Sequence, residues 1–323
     1  AHEVSPTLEL LSRAGTTLTD AYLSPVLARY VRRFQETLRD LSIHADSIVF
    51  MQSHGGLVAA EQFHGKDALL SGPAGGVVGM RAAGRRAGTS RLIGFDMGGT
   101  STDVSVCAET PEVTTSSLIA GLHLKSPMLK IHTIAAGGGS RLSFTDGRFQ
   151  VGPESAGALP GPLSYGRGGP LTITDANLLL GRLQAERFPR VCGTDGQQPL
   201  DLSSVERAFA ALATEVSHAT GQTRTAAATA AGFLRVAVDN MANAIRQVTV
   251  ARGLDPADFD LCCFGGAGGQ LVCQVADQLG MQRILLDPDA AVLSARGMAE
   301  AERTTYRQRS LAMPLDATSL TAA

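Results

Sequence analysis

The sequence has no tryptophan, and aromatic residues make up only 5% of its 323 residues. Lysine and arginine number 28 against 30 aspartates and glutamates, so no basic excess is available to follow a phosphate backbone. Nucleic-acid grooves need positive charge, and proteins that bind single strands add aromatic side chains on which bases stack. The composition therefore argues against nucleic acid as a partner.

Long apolar runs and paired cysteines are also missing. No apolar stretch approaches the roughly 20 residues that span a bilayer, and residues 1–6 lack the basic-then-apolar pattern of a secretory signal. The five cysteines form no Cys-x-x-Cys pair, which argues against a disulfide framework or a zinc knuckle. We therefore expect a cytoplasmic protein with no membrane partner and with reduced, mostly buried thiols.

Glycine is the residue in excess. It accounts for 36 of 323 residues, about 11% against a typical ~7%. Most of the excess lies in clusters bounded by apolar runs, where a backbone without side chains can approach a ligand closely. Function should therefore be sought at these clusters, in a chain whose 44% hydrophobic content is sufficient for a sizeable core.

Strand and helix patterns alternate along the chain, which favours an α/β fold. Apolar residues at helical spacing predict a core-facing helix that begins at Ser24-Pro25, and a small-residue helix is predicted from Ser71 to Gly88. Residues 152–170, rich in glycine and proline, predict a long ordered loop. The predicted organisation is a partial lobe with helices and a small sheet (1–90), a nucleotide-binding core (91–305) and a peripheral tail (306–323).

The most informative cluster is Asp96-Met-Gly-Gly-Thr-Ser-Thr-Asp103, which lies between two predicted strands. A turn with paired glycines leaves backbone N–H groups free to converge on phosphate oxygens, and neighbouring hydroxyls add further donors. Two aspartates beside a bound polyphosphate require a cation between them, so Asp96 and Asp103 predict a Mg²⁺ site and are both candidate catalytic residues. The alternative is a hairpin turn with two solvated aspartates. The candidate phosphate-binding residues here are Gly98, Gly99, Thr100, Ser101 and Thr102.

Two further glycine clusters follow predicted strands. The first predicts a second anion-binding turn and consists of Gly137, Gly138, Gly139 and Ser140. The other joins a buried strand to a helix, where free N–H groups and the helix N-terminus suit a phosphate or a flat base. Its members are Gly265, Gly266, Gly268 and Gly269. Structural packing explains this last cluster equally well, and its spacing does not fit the dinucleotide fingerprint.

Other polar residues have competing interpretations. Glu154, in the glycine-proline loop, is a candidate catalytic acid or base, or else a loop residue. Asp175 is better explained as a helix cap. His54 and His64 lack the spacing of a metal site.

Two phosphate turns followed by a base-binding turn resemble the actin-like ATPase superfamily, which includes sugar kinases and actin. This resemblance implies an actin-like ATPase (ribonuclease H-like) architecture, with mixed sheets flanked by helices and ATP as the ligand.

Several sequence segments resemble the hydantoinase A/5-oxoprolinase family more specifically. Within that family, Phe188-Pro and Gln198-Pro-Leu resemble 5-oxoprolinases more than other members. The segments that carry this resemblance are 93–105, 71–79, 135–140, 151–157, 172–182 and 263–269. The resemblance implies an ATP-dependent hydrolase of cyclic amides, which phosphorylates the amide oxygen of a lactam before water opens the ring to glutamate. It also implies a hydantoinase B-type domain or subunit as partner, and a homo-oligomer is a further expectation.

The sequence departs from that family in three ways. The sequence lacks a second Asp-x-Gly-Gly-Thr-like segment, and it lacks the B-type half. We therefore expect a fragment that is inactive alone. His54 stands where the family has Asn or Asp before Gly-Gly. Two alternatives stay open, a metabolite- or sugar-kinase-like phosphotransferase and a non-catalytic actin-like assembly module.

Overall fold

The computed structural model describes residues 1–43 and 47–307. The chain divides into two compact units that alternate along the sequence. Unit 1 consists of Ala1–Gly79, Pro111–Lys130 and Ser294–Ala323, and unit 2 of Met80–Thr110 and Ile131–Leu293. The predicted boundary at residue 90 is a contiguous division of the sequence and remains a prediction. Most of the predicted tail, from residue 308, lies outside the described residues.

The described residues combine α-helices with β-strands, as an α/β fold requires. The helices are α1 (Leu10–Asp40), α2 (Ser71–Ala87), α3 (Ile173–Leu179), α4 (Leu202–Thr220), α5 (Ala226–Thr249), α6 (Val272–Leu279) and α7 (Leu293–Glu300). The strands are β1 (Val49–Met51), β2 (Leu57–Ala59), β3 (Leu92–Met97), β4 (Thr102–Cys107), β5 (Val113–Thr114), β6 (Ser117–Ile119), β7 (Leu122–Leu124), β8 (Met128–Leu129), β9 (Ile131–Ile134), β10 (Ser140–Thr145), β11 (Arg148–Ser155), β12 (Asp260–Phe264) and β13 (Ile284–Leu286). None of the described helices is long and apolar enough to cross a membrane.

The central feature of unit 2 is a five-stranded mixed sheet in the order β13-β12-β3-β4-β9. Strand β12 runs parallel to both β3 and β13, whereas β3, β4 and β9 are antiparallel to one another in turn. Parallel strands need crossover connections, and the helices α4 and α5 lie in the chain between β9 and β12. The predicted mixed sheet flanked by helices is therefore confirmed.

Side chains alternate between the two faces of β3, so one strand helps to form two cores. Ile93 and Phe95 are fully buried in the cluster that contains Phe233 and Met241 of α5. On the opposite face, a Cβ added to Gly94 would lie 2.9 Å from the sulfur of Met80 in α2. Full burial of one such apolar side chain contributes roughly 1.5–3 kcal/mol. The sheet that carries the hairpin at residues 98–101 is thus held from both sides.

Helix α1 in unit 1 differs from its prediction. It begins at Leu10, and Pro25 lies in its interior. The turn before Pro25 is fixed by tertiary contacts, because Ser24 Oγ accepts the Gly65 N–H at 2.9 Å and Asp20 Oδ1 accepts the Lys66 N–H at 3.0 Å. These contacts hold the helix together where proline removes a backbone donor. The start predicted at Ser24 was therefore wrong.

The predicted core-facing side of α1 was also wrong. Of its apolar residues Val31 is buried, but Val26, Tyr30 and Phe34 are 54%, 58% and 39% exposed. Helical periodicity identifies an apolar side but does not identify what covers it.

The cysteines match their prediction closely. Cys273 is exposed and the other four are buried and unpaired. Burial raises the pKa of both Cys262 and Cys263 to about 12, so these two side chains stay as thiols. A reactive thiolate needs the opposite environment.

Candidate functional site

The turn between β3 and β4 presents three backbone donors. The Gly98 N–H closes the turn on the carbonyl of Ser101 at 3.0 Å. Among the described residues, the N–H groups of Gly99, Thr100 and Ser101 and the hydroxyls of Thr100 and Ser101 have no hydrogen-bond acceptor. Gly99 and Thr100 are exposed. Free donors of this kind can bind an anion, so the prediction of a phosphate-binding turn stays a prediction.

The Thr102 hydroxyl is not free to bind a ligand. Its side chain is fully buried, and its hydroxyl donates to the carbonyl of Ala136 at 2.6 Å. The prediction that Thr102 offers a phosphate donor is therefore corrected. The residue instead joins the start of β4 to the segment that leads into the next glycine turn.

The turn from Gly137 to Ser140 supports the first turn instead of opening to solvent. Gly138 and Gly139 donate their N–H groups to the carbonyls of Gly98 and Gly99, at 3.0 and 2.7 Å. The Gly137 N–H donates to Ser140 Oγ at 2.9 Å, and the Ser140 N–H donates to the carbonyl of Gly137 at 3.0 Å. The N–H groups of all four predicted residues are thus already engaged. A Cβ on Gly137 would lie 2.7 Å from the Gly98 oxygen, which explains the glycine by close backbone packing.

Two residues outside the predicted site hold this second turn. Thr174 donates both its N–H and its hydroxyl to the carbonyl of Gly138, each at 2.9 Å. Ser155 Oγ donates to the carbonyl of Gly139 at 3.3 Å. Both lie in segments that carried the family resemblance, but nothing in the sequence indicates which carbonyl each one contacts.

Replacing Thr174 by valine is expected to loosen the second turn locally. The variant keeps the shape of the side chain and loses one buried hydrogen bond, which costs about 1 kcal/mol of unfolding free energy. Hydrogen exchange at the Gly138 and Gly139 amides should become faster. Thr174→Ser loses a buried methyl group at a similar cost of about 0.8 kcal/mol but keeps the hydroxyl. Equal exchange rates in the two variants would contradict the assigned role.

The third glycine turn divides into packing positions and open positions. Gly265 has a φ of +81°, and a Cβ there would lie 2.5 Å from Asp96 Oδ1; a Cβ on Gly268 would lie 2.7 Å from Cys263 Sγ. Gly266 and Gly269 are exposed, and a Cβ on either would meet nothing within 4 Å. The Ala267 N–H donates to the Met97 carbonyl at 2.9 Å and joins this turn to β3. Room for a ligand therefore exists at Gly266 and Gly269.

Asp96 and Asp103 lie directly opposite each other in the β3–β4 register. Thr133 on β9 donates its hydroxyl to Asp103 Oδ1 at 2.6 Å, a contact that sequence reasoning did not identify. Burial, reinforced by the charge of Asp103, raises the pKa of Asp96 to about 6. A cation held between the carboxylates would relieve both effects. No group of three or more His, Cys, Asp or Glu side chains in the described part could hold a metal, so phosphate and water would have to complete its coordination.

The remaining candidates lie apart from the aspartate pair. Glu154 is exposed and forms an ion pair with Arg141, and no described contact joins it to Asp96 or Asp103. Asp175 is fully buried. It accepts hydrogen bonds from the Leu163 and Ser164 N–H groups and from both the N–H and the hydroxyl of Thr172. Its interpretation as a capping residue is confirmed, with Thr172 as the N-cap of α3 and Asp175 completing the capping box.

Residues 13–307 match the family model for Hydantoinase/oxoprolinase. The chain is 45% identical over 301 residues to the 5-oxoprolinase PfmaA of Pestalotiopsis fici and 44% identical over 304 residues to the 5-oxoprolinase of Saccharomyces cerevisiae. Each alignment covers 93% of this chain and 23% of the relative, so the chain spans about a quarter of their length.

Solved structures share the fold over most of the chain. The ATP-dependent caprolactamase of Pseudomonas jessenii superposes with a TM-score of 0.77 at 33% identity, over 92% of this chain and 42% of that one. A nucleotide-free acetone carboxylase gives the same TM-score at 24% identity, over 93% of this chain and 41% of the other. Both neighbours contain the α/β arrangement described above.

Proposed function

Because the chain belongs to the hydantoinase/oxoprolinase family, we propose that it is the nucleotide-binding part of an ATP-dependent lactam hydrolase that acts on 5-oxoproline. The observation that carries the proposal is the β3–β4 turn, whose three free N–H groups and two free hydroxyls lie beside the pair Asp96 and Asp103. The similarity to 5-oxoprolinases and to an ATP-dependent caprolactamase supports the choice of reaction.

The proposed reaction activates an amide that is otherwise a poor electrophile. The lactam oxygen attacks the γ-phosphorus of ATP, and the bond from that phosphorus to ADP breaks. Water adds to the activated carbon, the ring C–N bond breaks and the nitrogen takes a proton. A second water then releases phosphate from the resulting acyl phosphate and leaves glutamate. Phosphoryl transfer depends mainly on positioning and charge stabilisation, which suits a site built from backbone donors and hydroxyls.

The residues of this chain divide these tasks. Gly99, Thr100 and Ser101 bind phosphate oxygens, and the open positions Gly266 and Gly269 leave space for the base. Asp96 and Asp103 would hold Mg²⁺, and the ion would offset the charge of the phosphates. Gly137 to Ser140 keep the first turn in place through its carbonyls. Glu154 remains our candidate for the acid or base that handles water.

The same proposal includes the setting of the enzyme. The chain works as one section of a longer polypeptide or assembly with a hydantoinase B-type domain or subunit, in the cytoplasm. The caprolactamase relative is a subunit alpha, matched at 34% identity over 98% of this chain and 44% of that subunit, which supports a partner subunit. Self-association into a homo-oligomer is a further part of the proposal.

Calorimetry with a non-hydrolysable ATP analogue tests the nucleotide site. We expect saturable binding that requires Mg²⁺ and that weakens about tenfold in Ser101→Ala, since a hydrogen bond to a charged group contributes roughly 1.5–3 kcal/mol. Thr145→Ala, at an exposed strand end, is the matched control and should bind as the unmodified chain does. Equal affinities with and without Mg²⁺, or no loss in Ser101→Ala, would contradict the assignment.

A chimera tests the reaction itself. Residues 13–307 would replace the corresponding segment of the Saccharomyces cerevisiae 5-oxoprolinase, to which this chain is 44% identical. We expect ATP-dependent release of glutamate and phosphate from 5-oxoproline. A phosphorylated metabolite that persists in the assay would instead support a kinase-like transfer.

A further inference from the structure

Unit 1 contains a cavity that the proposed nucleotide site does not use. Its volume is about 790 Å³, within the range of about 300–1,000 Å³ typical of small-molecule sites. The side chains that carry the argument are Gln52, His54, Lys66, Asp67 and Lys125.

The walls of this cavity are connected to one another by hydrogen bonds. The Gln52 N–H donates a hydrogen bond to the Gly56 carbonyl at 2.8 Å and so closes the loop 52–56. Ser53 Oγ donates to the backbone carbonyl of Asp67 at 2.7 Å, and Ser126 Oγ donates to the Asp67 carboxylate at 3.2 Å. Both serines and Asp67 are buried. Three separate segments of the chain are therefore held in a fixed arrangement before any ligand binds, which lowers the entropic cost of binding.

The contacts of His54 leave the Gln52 amide as a free donor. The Gly56 N–H donates to His54 Nδ1 at 3.3 Å, so the ring proton lies on Nε2 and is donated to Gln52 Oε1 at 2.9 Å. Burial lowers the pKa of His54, which keeps the ring neutral and consistent with this tautomer. No acceptor for the Gln52 side-chain NH₂ is found among the described residues, and Gln52, which is 9% exposed, lines the cavity.

The charged groups also favour a ligand that accepts hydrogen bonds, because the lining has three basic side chains, Lys66, Lys125 and Arg307, and two acidic ones, Glu3 and Asp67. Lys66 and Lys125 have side chains that are 21% and 20% exposed. The Lys66 ammonium lies 2.8 Å from the buried Asp67 carboxylate and compensates its charge. The partner of Lys125, at 3.2 Å, is Glu9, whose side chain is 63% exposed, so water competes for this ion pair. Ammonium groups keep three donors each, so both lysines can bind a further acceptor.

We propose that this cavity binds a small organic carboxylate of amino-acid size, whose oxygens accept hydrogen bonds from the Gln52 amide and from the Lys66 and Lys125 ammonium groups. Val58 and Pro127 also line the cavity and provide apolar surface for the carbon skeleton. This binding needs neither nucleotide nor Mg²⁺, and the choice of 5-oxoproline and L-glutamate as ligands to test rests on the proposed function. A lactam acid and an open-chain amino acid share this chemistry, and a titration distinguishes them.

The test is calorimetry on the nucleotide-free 323-residue chain with 5-oxoproline, L-glutamate and uncharged 2-pyrrolidinone. We expect at least one of the two acids to bind saturably and 2-pyrrolidinone to bind at least about tenfold more weakly, because it lacks the carboxylate. The acid that binds more tightly identifies the ligand type.

Gln52→Glu is the decisive variant. It keeps an acceptor for His54 but replaces the free donor by negative charge, and we expect acid affinity to fall at least about tenfold. Gln150→Glu, on the exposed part of β11, adds the same charge elsewhere and should have no effect. Asp96→Asn should keep acid binding, so failure of the nucleotide site would not imitate failure of this one.

Circular dichroism shows whether Gln52→Glu is folded. If it is not, a second variant tests the same proposal. Lys125→Met leaves only the exposed Glu9 without its partner and should weaken acid binding about five- to tenfold. The proposal is overturned if neither acid binds at concentrations of tens of millimolar. It is equally overturned if folded Gln52→Glu or folded Lys125→Met binds acid as tightly as the unmodified chain.

Discussion

Gly265→Ala is expected to destabilise unit 2 by about 3 kcal/mol, the largest stability loss predicted for this chain. The residue has a φ of +81°, and the left-handed region costs an L-residue about 1–2 kcal/mol. The added Cβ would also lie 2.5 Å from Asp96 Oδ1 and 2.6 Å from the Met97 carbonyl oxygen. Because the second atom belongs to the backbone of β3, the clash cannot be relieved by rotating a side chain, and overpacking adds about 1–3 kcal/mol.

Gly266→Ala is the matched control for this prediction. Gly266 follows Gly265 in the chain but has no left-handed φ, and a Cβ there would meet nothing within 4 Å. We expect its unfolding free energy to stay within about 0.5 kcal/mol of the unmodified chain, as for other exposed substitutions. Urea unfolding followed by circular dichroism measures both variants. Equal stabilities would mean that the turn can move away from Asp96 at little cost.

The comparison of these two glycines shows what a glycine-rich sequence can and cannot predict. The spacing Asp-x-Gly-Gly-Thr-x-Thr-Asp between apolar runs correctly predicted a hairpin, and the confirmed hairpin pairs Asp96 with Asp103. Register in a hairpin follows from the length of its loop, which the sequence contains. Local patterns were therefore sufficient for this hairpin and for its aspartate pair, whereas the short strands β5, β6 and β7 were not predicted.

The roles of the individual glycines depended on long-range contacts instead. Gly138 and Gly98 are 40 residues apart, and their backbone hydrogen bond determines that the second turn supports the first. A glycine required by close packing and one required by ligand approach are the same letter in a sequence. Thr133 and Thr174 were missed for the same reason, since their acceptors are identified only by the register of β4 with β9 and by the position of α3.

Helix α1 shows a second limit of local patterns. Proline near a periodic apolar segment normally indicates a helix start, yet Pro25 lies in the interior of α1. The contacts that hold the turn before it come from Gly65 and Lys66, about 40 residues away. Tertiary contacts overrode the local preference at this position.

Asp96→Asn is expected to change stability and nucleotide binding in opposite directions. In the absence of Mg²⁺, the unfolding free energy at pH 7.5 should increase by about 1–2 kcal/mol. The pKa of Asp96 is raised from 3.8 to about 6, and each unit corresponds to 1.36 kcal/mol, from which partial exposure of the side chain is discounted. The same variant should bind the Mg²⁺–ATP analogue about 100-fold more weakly, because one of the two carboxylates proposed to hold the cation is neutral.

The sign of the stability effect follows from proton linkage. A carboxyl group with a raised pKa binds its proton more tightly in the folded state, so its stabilising contribution is complete below about pH 4 and is lost as pH rises through about 6. The unmodified chain and Asp96→Asn should therefore be equally stable near pH 4 and diverge between pH 4 and 7. Asp277→Asn, at an exposed position of α6, controls for loss of a surface charge and should produce no such divergence. A variant that loses both stability and nucleotide binding would assign Asp96 to the folding of the hairpin. Gain of stability with loss of binding is the result expected of a carboxylate kept near Asp103 for its ligand at a cost to the empty fold.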